Sequence, residues 1–264
     1  MPAIDSTFEE IEHQHAVQFY DSDDGALVSN VIRYLADGYR NGGCLLVLAT
    51  QPHRVAFIAG LEALGIAAQQ AIDDGRFVVL DAEETLRGFM VHGYPDALLF
   101  DATCGAVTRA CIERAQGRGV RGYGEMVDLL WRSGKTAAAV RLEQLWDELY
   151  AKVDGFSIFC SYQIDIFGRE FQPGAVDGVL CTHSTVIPSG NDDRLHQSIS
   201  TAMAHVLGVD RTAEILPEIT GVMPRKWASL PRGETMALQL RKTLPEQAGD
   251  VLNLARKYYL EKAG

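Results

Sequence analysis

The chain has 264 residues, 47% of them apolar, enough to bury one sizeable core with a small appendage and too many for a disordered or fibrous protein. Its 35 acidic against 24 basic residues give a net charge of -11, which opposes an extended phosphate-binding face and argues against nucleic acid as a partner. No apolar run approaches the roughly 20 residues that span a bilayer, and the acidic opening from Met1 to His13 is unlike a signal peptide, so the chain reads as cytoplasmic and without a membrane partner.

The stretch His15-Ala-Val-Gln-Phe-Tyr20 reads as a strand, ended by the turn formers Asp21 to Gly25. A helix follows, with Leu27, Val28, Val31, Ile32, Leu35 and Tyr39 at three-to-four spacing, N-cap oxygens from Ser22 to Asp24, and a stop at Asn41-Gly-Gly43. Cys44-Leu-Leu-Val-Leu-Ala49 is apolar on consecutive positions, as a parallel strand covered on both faces should be. The cycle repeats with a helix around Val55 to Leu64, a strand over Arg76 to Asp81 and a short helix over Glu83 to Met90. Phe100, Cys104, Val107 and Cys111 then keep one helical face, so this segment is assigned to helix rather than to a strand ending in Asp101. Val120 to Tyr123 is a further strand candidate, Glu125 to Leu130 and Thr136 to Leu149 read as helices, and Phe156 to Tyr162 is a strong late strand. This alternation predicts an α/β fold with a mostly parallel sheet and flanking helices.

From Phe171 to Gly190 the pattern thins, with a short edge strand expected over Val179 to Ile187, and beyond it the reading is helical. Residues 189–264 hold 9 acidic and 10 basic residues, whereas residues 1–188 hold 26 and 14. The shift suggests an α/β domain over 1–188 and a helical C-terminal extension over 189–264.

Ser133-Gly-Lys-Thr136 looks like the end of a phosphate-binding loop, but Leu129 stands where that loop needs glycine, so a helix-to-helix turn is the better reading. No G-x-G-x-x-G follows a strand. The five cysteines, at 44, 104, 111, 160 and 181, lack metal-finger spacing and read as reduced core thiols. His13 with His15, and Cys181 with His183, each put two ligand types on one side of an extended segment; each is half a site, and no metal is assigned.

Open α/β sheets bind ligands beyond the carboxyl ends of their strands, which puts Tyr20, Thr50, Asp81, Gly124, Glu125, Ser161 and Tyr162 on one rim, with Tyr123 closing its strand there. The tyrosines offer an apolar body with a hydroxyl tip, and Glu125 is the main polar candidate. A carboxylate after a strand more often caps the next helix, and capping is the preferred reading for both Asp81 and Glu125.

Three blocks, Gly75 to Met90, Gly122 to Trp131 and Arg141 to Leu149, flanked by His15 to Tyr20 and Phe156 to Tyr162, resemble the methanogen/methylotroph sensory (MEDS) domain family over about residues 13–168. The resemblance implies a RecA/KaiC-like α/β core without the nucleotide loop, used as a sensory module, with small hydrocarbon derivatives suggested as ligands. Positions that match it are His15, Phe19, Tyr20, Glu125, Trp146, Cys160 and Tyr162. The expected function is a sensory or regulatory protein that takes a small ligand or signalling partner at the rim; the cofactor is unknown and homo-oligomerisation is left open. The rivals are a degenerate RecA-like enzyme using Glu125, Asp81 or Cys160 on a nucleotide or small electrophile, and an interaction scaffold whose Trp227, Leu230, Tyr258 and Tyr259 dock a partner.

Overall fold

A computed structural model describes residues 14–221 and 230–261; His13 and Trp227 lie outside the described residues. In chain order the elements are β1 (His15–Tyr20), α1 (Gly25–Arg40), β2 (Cys44–Ala49), α2 (Gln51–Ala63), α3 (Ala68–Asp73), β3 (Phe77–Asp81), α4 (Ala82–Phe89), β4 (Met90–Val91), β5 (Tyr94–Pro95), α5 (Ala97–Phe100), a π-helical turn (Asp101–Gly105), α6 (Ala106–Ala115), β6 (Val120–Gly124), α7 (Met126–Arg132), α8 (Thr136–Tyr150), β7 (Phe156–Gln163), α9 (Asp177–Thr182), β8 (Thr185–Ile187), α10 (Asp192–Leu207), α11 (Val209–Ile219), α12 (Arg232–Thr243) and α13 (Ala248–Glu261).

The main sheet runs β3-β2-β6-β7-β1-β8, with β2 parallel to both β3 and β6, and β6 parallel to β7. The expected α/β fold with a parallel sheet, flanking helices and helical C-terminal segments is therefore present. All six residues of β2 are buried, which explains their unbroken apolar run: the strand is covered on both faces. On α1, Leu27, Val31, Tyr34, Leu35 and Gly38 are buried at helical spacing, and the chain leaves the helix through Gly42, whose φ of +83° suits glycine. Gly122 in the middle of β6 has a packing reason: a Cβ there would stand 2.8 Å from the ring of Phe156 on β7.

Tertiary grouping divides the chain into two units. The first holds the described residues up to Val17 together with Asp24–Tyr162, and the second holds Gln18–Asp23 and the described residues from Gln163 onward. In the second unit, the Arg241 guanidinium of α12 donates to the backbone carbonyls of Phe171, Phe167 and Gly168 at 2.6, 3.0 and 2.5 Å. Within the same unit α10 packs on α11, α12 and α13.

The predicted edge strand over Val179 to Ile187 is corrected: its first half is α9, and only Thr185–Ile187 is strand. The helical assignment from Leu98 to Cys111 agrees with α5, the π-helical turn and α6. Sequence reading missed α3 and the two-residue strands β4 and β5, all too short to show a period. Among the described residues, no helix is long and apolar enough to cross a membrane.

Candidate functional site

Two polar clusters lie in the first unit, on opposite faces of the sheet. The first forms where β2 and β6 end. Their register pairs Leu48 with Gly124, so the next residues, Thr50 and Glu125, emerge side by side. Glu125 precedes α7 but makes no side-chain cap, which corrects the capping expectation. Its carboxylate instead reaches across to α2, where Oε1 accepts the backbone N–H of Thr50 and Oε2 meets Nδ1 of His53 in a close contact. The Tyr123 hydroxyl donates to the same Oε2 at 3.3 Å and lies 2.8 Å from Oγ of Ser161. On its far side the His53 ring places Nε2 3.1 Å from Oδ2 of Asp24. Asp24 thus holds the imidazole rather than capping α1, another correction.

This chain of groups runs from the fully buried Tyr123, through Glu125 at 2% exposure, to Asp24, whose side chain is 53% exposed. Phe57 stacks on His53 at 5.5 Å and meets Tyr123 edge-on at 5.0 Å, fixing both rings. Burial pulls the His53 imidazole down, but the hydrogen bond and charge of Glu125, followed by those of Asp24, outweigh it and leave its pKa raised. A histidine held between two carboxylates is a group that changes charge in response to its surroundings.

The second cluster lies on the other face. Side chains alternate along β7, so Phe159 and Ser161 point to the Tyr123 side while Cys160 and Tyr162 point toward α8. There Glu143, completely buried, accepts the Tyr162 hydroxyl on Oε1 at 2.8 Å. Its Oε2 is 3.3 Å from Nε2 of His15 and 3.6 Å from Sγ of Cys160. Burial, reinforced by the negative charge of Glu143, pushes the Cys160 thiol and the Tyr162 hydroxyl well above their ordinary values.

The structure therefore joins Tyr123 and Glu125 in one cluster, and His15, Cys160 and Tyr162 in the other. Trp146 is core packing, edge-on to Phe100 at 4.9 Å and tilted against Phe156 at 6.3 Å. Asp81 caps α4 as expected, accepting Glu84 N–H at 2.9 Å, and pairs with Arg54 at 2.8 Å. In the second unit Phe19 packs edge-on to Phe171 at 5.1 Å and Tyr20 is buried. Gly134 ends α7 in a left-handed turn with φ +76°, in keeping with the helix-to-helix reading of Ser133 to Thr136. Cys181 is exposed rather than a core thiol, and it sits on α9, so Cys181 and His183 do not share an extended segment.

Sequence reasoning missed His53, Asp24 and Glu143. Glu143 had a signal: it falls among Ala139, Leu142 and Trp146, a charged residue inside the apolar stripe of α8. His53 had a weaker one, its place in the first turn after a central strand. A cavity of about 300 Å³ lies at the amino ends of β6 and β7, lined among others by Asn41, Arg118, Gly119 and Ser157, at the opposite end from the rim.

A family model described as the methanogen/methylotroph, DcmR sensory domain (MEDS) matches residues 14–184. No curated protein matches the chain.

Proposed function

Since the chain belongs to the MEDS sensory-domain family and so has a sensory or regulatory role, we propose that its recognition element is the Asp24–His53–Glu125–Tyr123 relay at the strand ends. The observation that carries this reading is the His53 ring held at both nitrogens by carboxylates, one buried and one half exposed. A small molecule with one hydrogen-bonding or cationic head, such as a short amine or alcohol, would approach from the Asp24 side and compete for those contacts. Losing or gaining the proton on His53 alters the charge beside Thr50 and the start of α2, a local change that a sensory domain can pass on. The C-terminal helices beyond about residue 188 are the proposed output, through a signalling partner.

The test combines native mass spectrometry of the freshly purified full chain with titration of methylamine, methanol and dichloromethane followed by thermal shift. The expected result is a retained small molecule, or stabilisation by one of the probes, that Glu125→Gln and His53→Ala abolish while remaining folded. Binding unchanged in both variants would remove the rim as the site. A chain truncated after Pro188 tests the domain boundary: cooperative melting with binding retained supports it, and a molten product places the boundary elsewhere.

A further inference from the structure

His15, Glu143 and Cys160 bring an imidazole, a carboxylate and a thiol together through contacts that also serve as hydrogen bonds, and the triangle they form fits a metal ion as well. The three potential ligand atoms, Nε2, Oε2 and Sγ, come from β1, α8 and β7, and all three residues are buried. Their mutual separations are 3.5 Å for sulfur to nitrogen, 3.6 Å for sulfur to oxygen and 3.3 Å for nitrogen to oxygen. A tetrahedral zinc ion has bonds of about 2.3 Å to sulfur and about 2.0–2.1 Å to nitrogen and oxygen, so the edges of its coordination tetrahedron are about 3.5–3.6 Å for the pairs with sulfur and about 3.3–3.4 Å for nitrogen to oxygen. The observed triangle matches one face of that tetrahedron on all three edges.

We propose that His15, Glu143 and Cys160 supply three ligands of a tetrahedral site for a divalent transition-metal ion of the zinc class. The donor set, one imidazole, one carboxylate and one thiolate, is of the kind that borderline-soft ions select over magnesium or calcium. A divalent cation also offsets the desolvation of a completely buried carboxylate. The outer groups fit as well. Tyr162 donates to the other oxygen of Glu143 at 2.8 Å, orienting the carboxylate, and Asp147 lies 4.0 Å from Nδ1 of His15, on the side from which a carboxylate fixes a metal-bound imidazole. The members of this set are far apart in sequence, and only the fold assembles them.

The experiment uses the full chain as purified, its metal content measured by elemental mass spectrometry, then stripped with a chelator and titrated with Co²⁺. The expected result is one zinc-class ion per folded chain, or, after stripping, uptake of one equivalent of Co²⁺ with a thiolate-to-cobalt charge-transfer band and the intense visible bands of a tetrahedral site. Cys160→Ser should abolish the charge-transfer band, and the exposed-thiol variant Cys181→Ser should keep it. Tyr162→Phe should keep the band but weaken the affinity about 10–100-fold, as loss of an outer-shell partner does. A folded wild-type chain that neither carries the ion nor develops the band overturns the proposal, and so does a band that survives Cys160→Ser. Should Cys160→Ser fail to fold, the affinity of Tyr162→Phe decides between the same two outcomes, and should stripping unfold the chain, the metal content of the purified wild type decides between them.

Discussion

The rim cluster and the cluster under α8 use nearly the same chemistry, a buried glutamate with a histidine and a tyrosine, yet their positions on the elements give them different work. Glu125 follows the last residue of β6, and its partners lead outward to the half-exposed Asp24. Glu143 stands mid-helix, and each of its partners, His15, Cys160 and Tyr162, is buried. A polar group at a strand end can exchange partners with solvent or a ligand, whereas one in the middle of a helix facing the sheet can only be satisfied or left unsatisfied. The first arrangement suits response and the second suits cohesion.

The largest expected effect is at the enclosed cluster. Glu143→Ala removes the acceptor of Tyr162 and the anionic partner of His15, and should destabilise the chain by about 3–5 kcal/mol in denaturant titration. Glu125→Ala should cost less, about 2–3 kcal/mol, because Asp24 and solvent take over part of the hydrogen bonding of His53. Equal losses would break the distinction between the two clusters. Tyr162→Phe removes one hydrogen bond and leaves shape and burial intact, so a loss of about 1 kcal/mol is expected.

The smallest effect is a pH slope at the rim. His53 faces Glu125 and Asp24, with Tyr123 beyond Glu125, and its folded pKa is raised. Its contribution is therefore complete below the unfolded imidazole value of about 6.5 and is lost as pH rises through the folded value. Stability measured from about pH 6 to about pH 9 should fall by an increment that His53→Ala removes.

The layout of the sheet was legible because its central strands are apolar at every position, as in Cys44–Ala49, and because its helices carry wide stripes ended by glycine. Glu125 was legible as a strand-end residue, but its role was not: a carboxylate before a helix most often caps it, and only the register of β2 on β6 brings Thr50 and His53 within its reach. His15 and Cys160 stood out through family resemblance, while their common partner Glu143 is separated from His15 by most of the first unit and no local pattern links them. α9 was mistaken for strand because Val179, Leu180 and Cys181 form a short apolar run, too brief for a period to separate the two states.

Ring-resolved NMR of His53 across pH, in the wild-type and Glu125→Gln chains and with methylamine, methanol or dichloromethane added, tests most directly whether the rim is a responsive, charged relay. The expected result is a His53 midpoint above the ordinary imidazole value that falls in Glu125→Gln, with the resonances of His53 and Tyr123 moving when a probe binds. An ordinary midpoint indifferent to Glu125→Gln, or probe shifts confined to the amino-end cavity around Arg118 and Ser157, would contradict it.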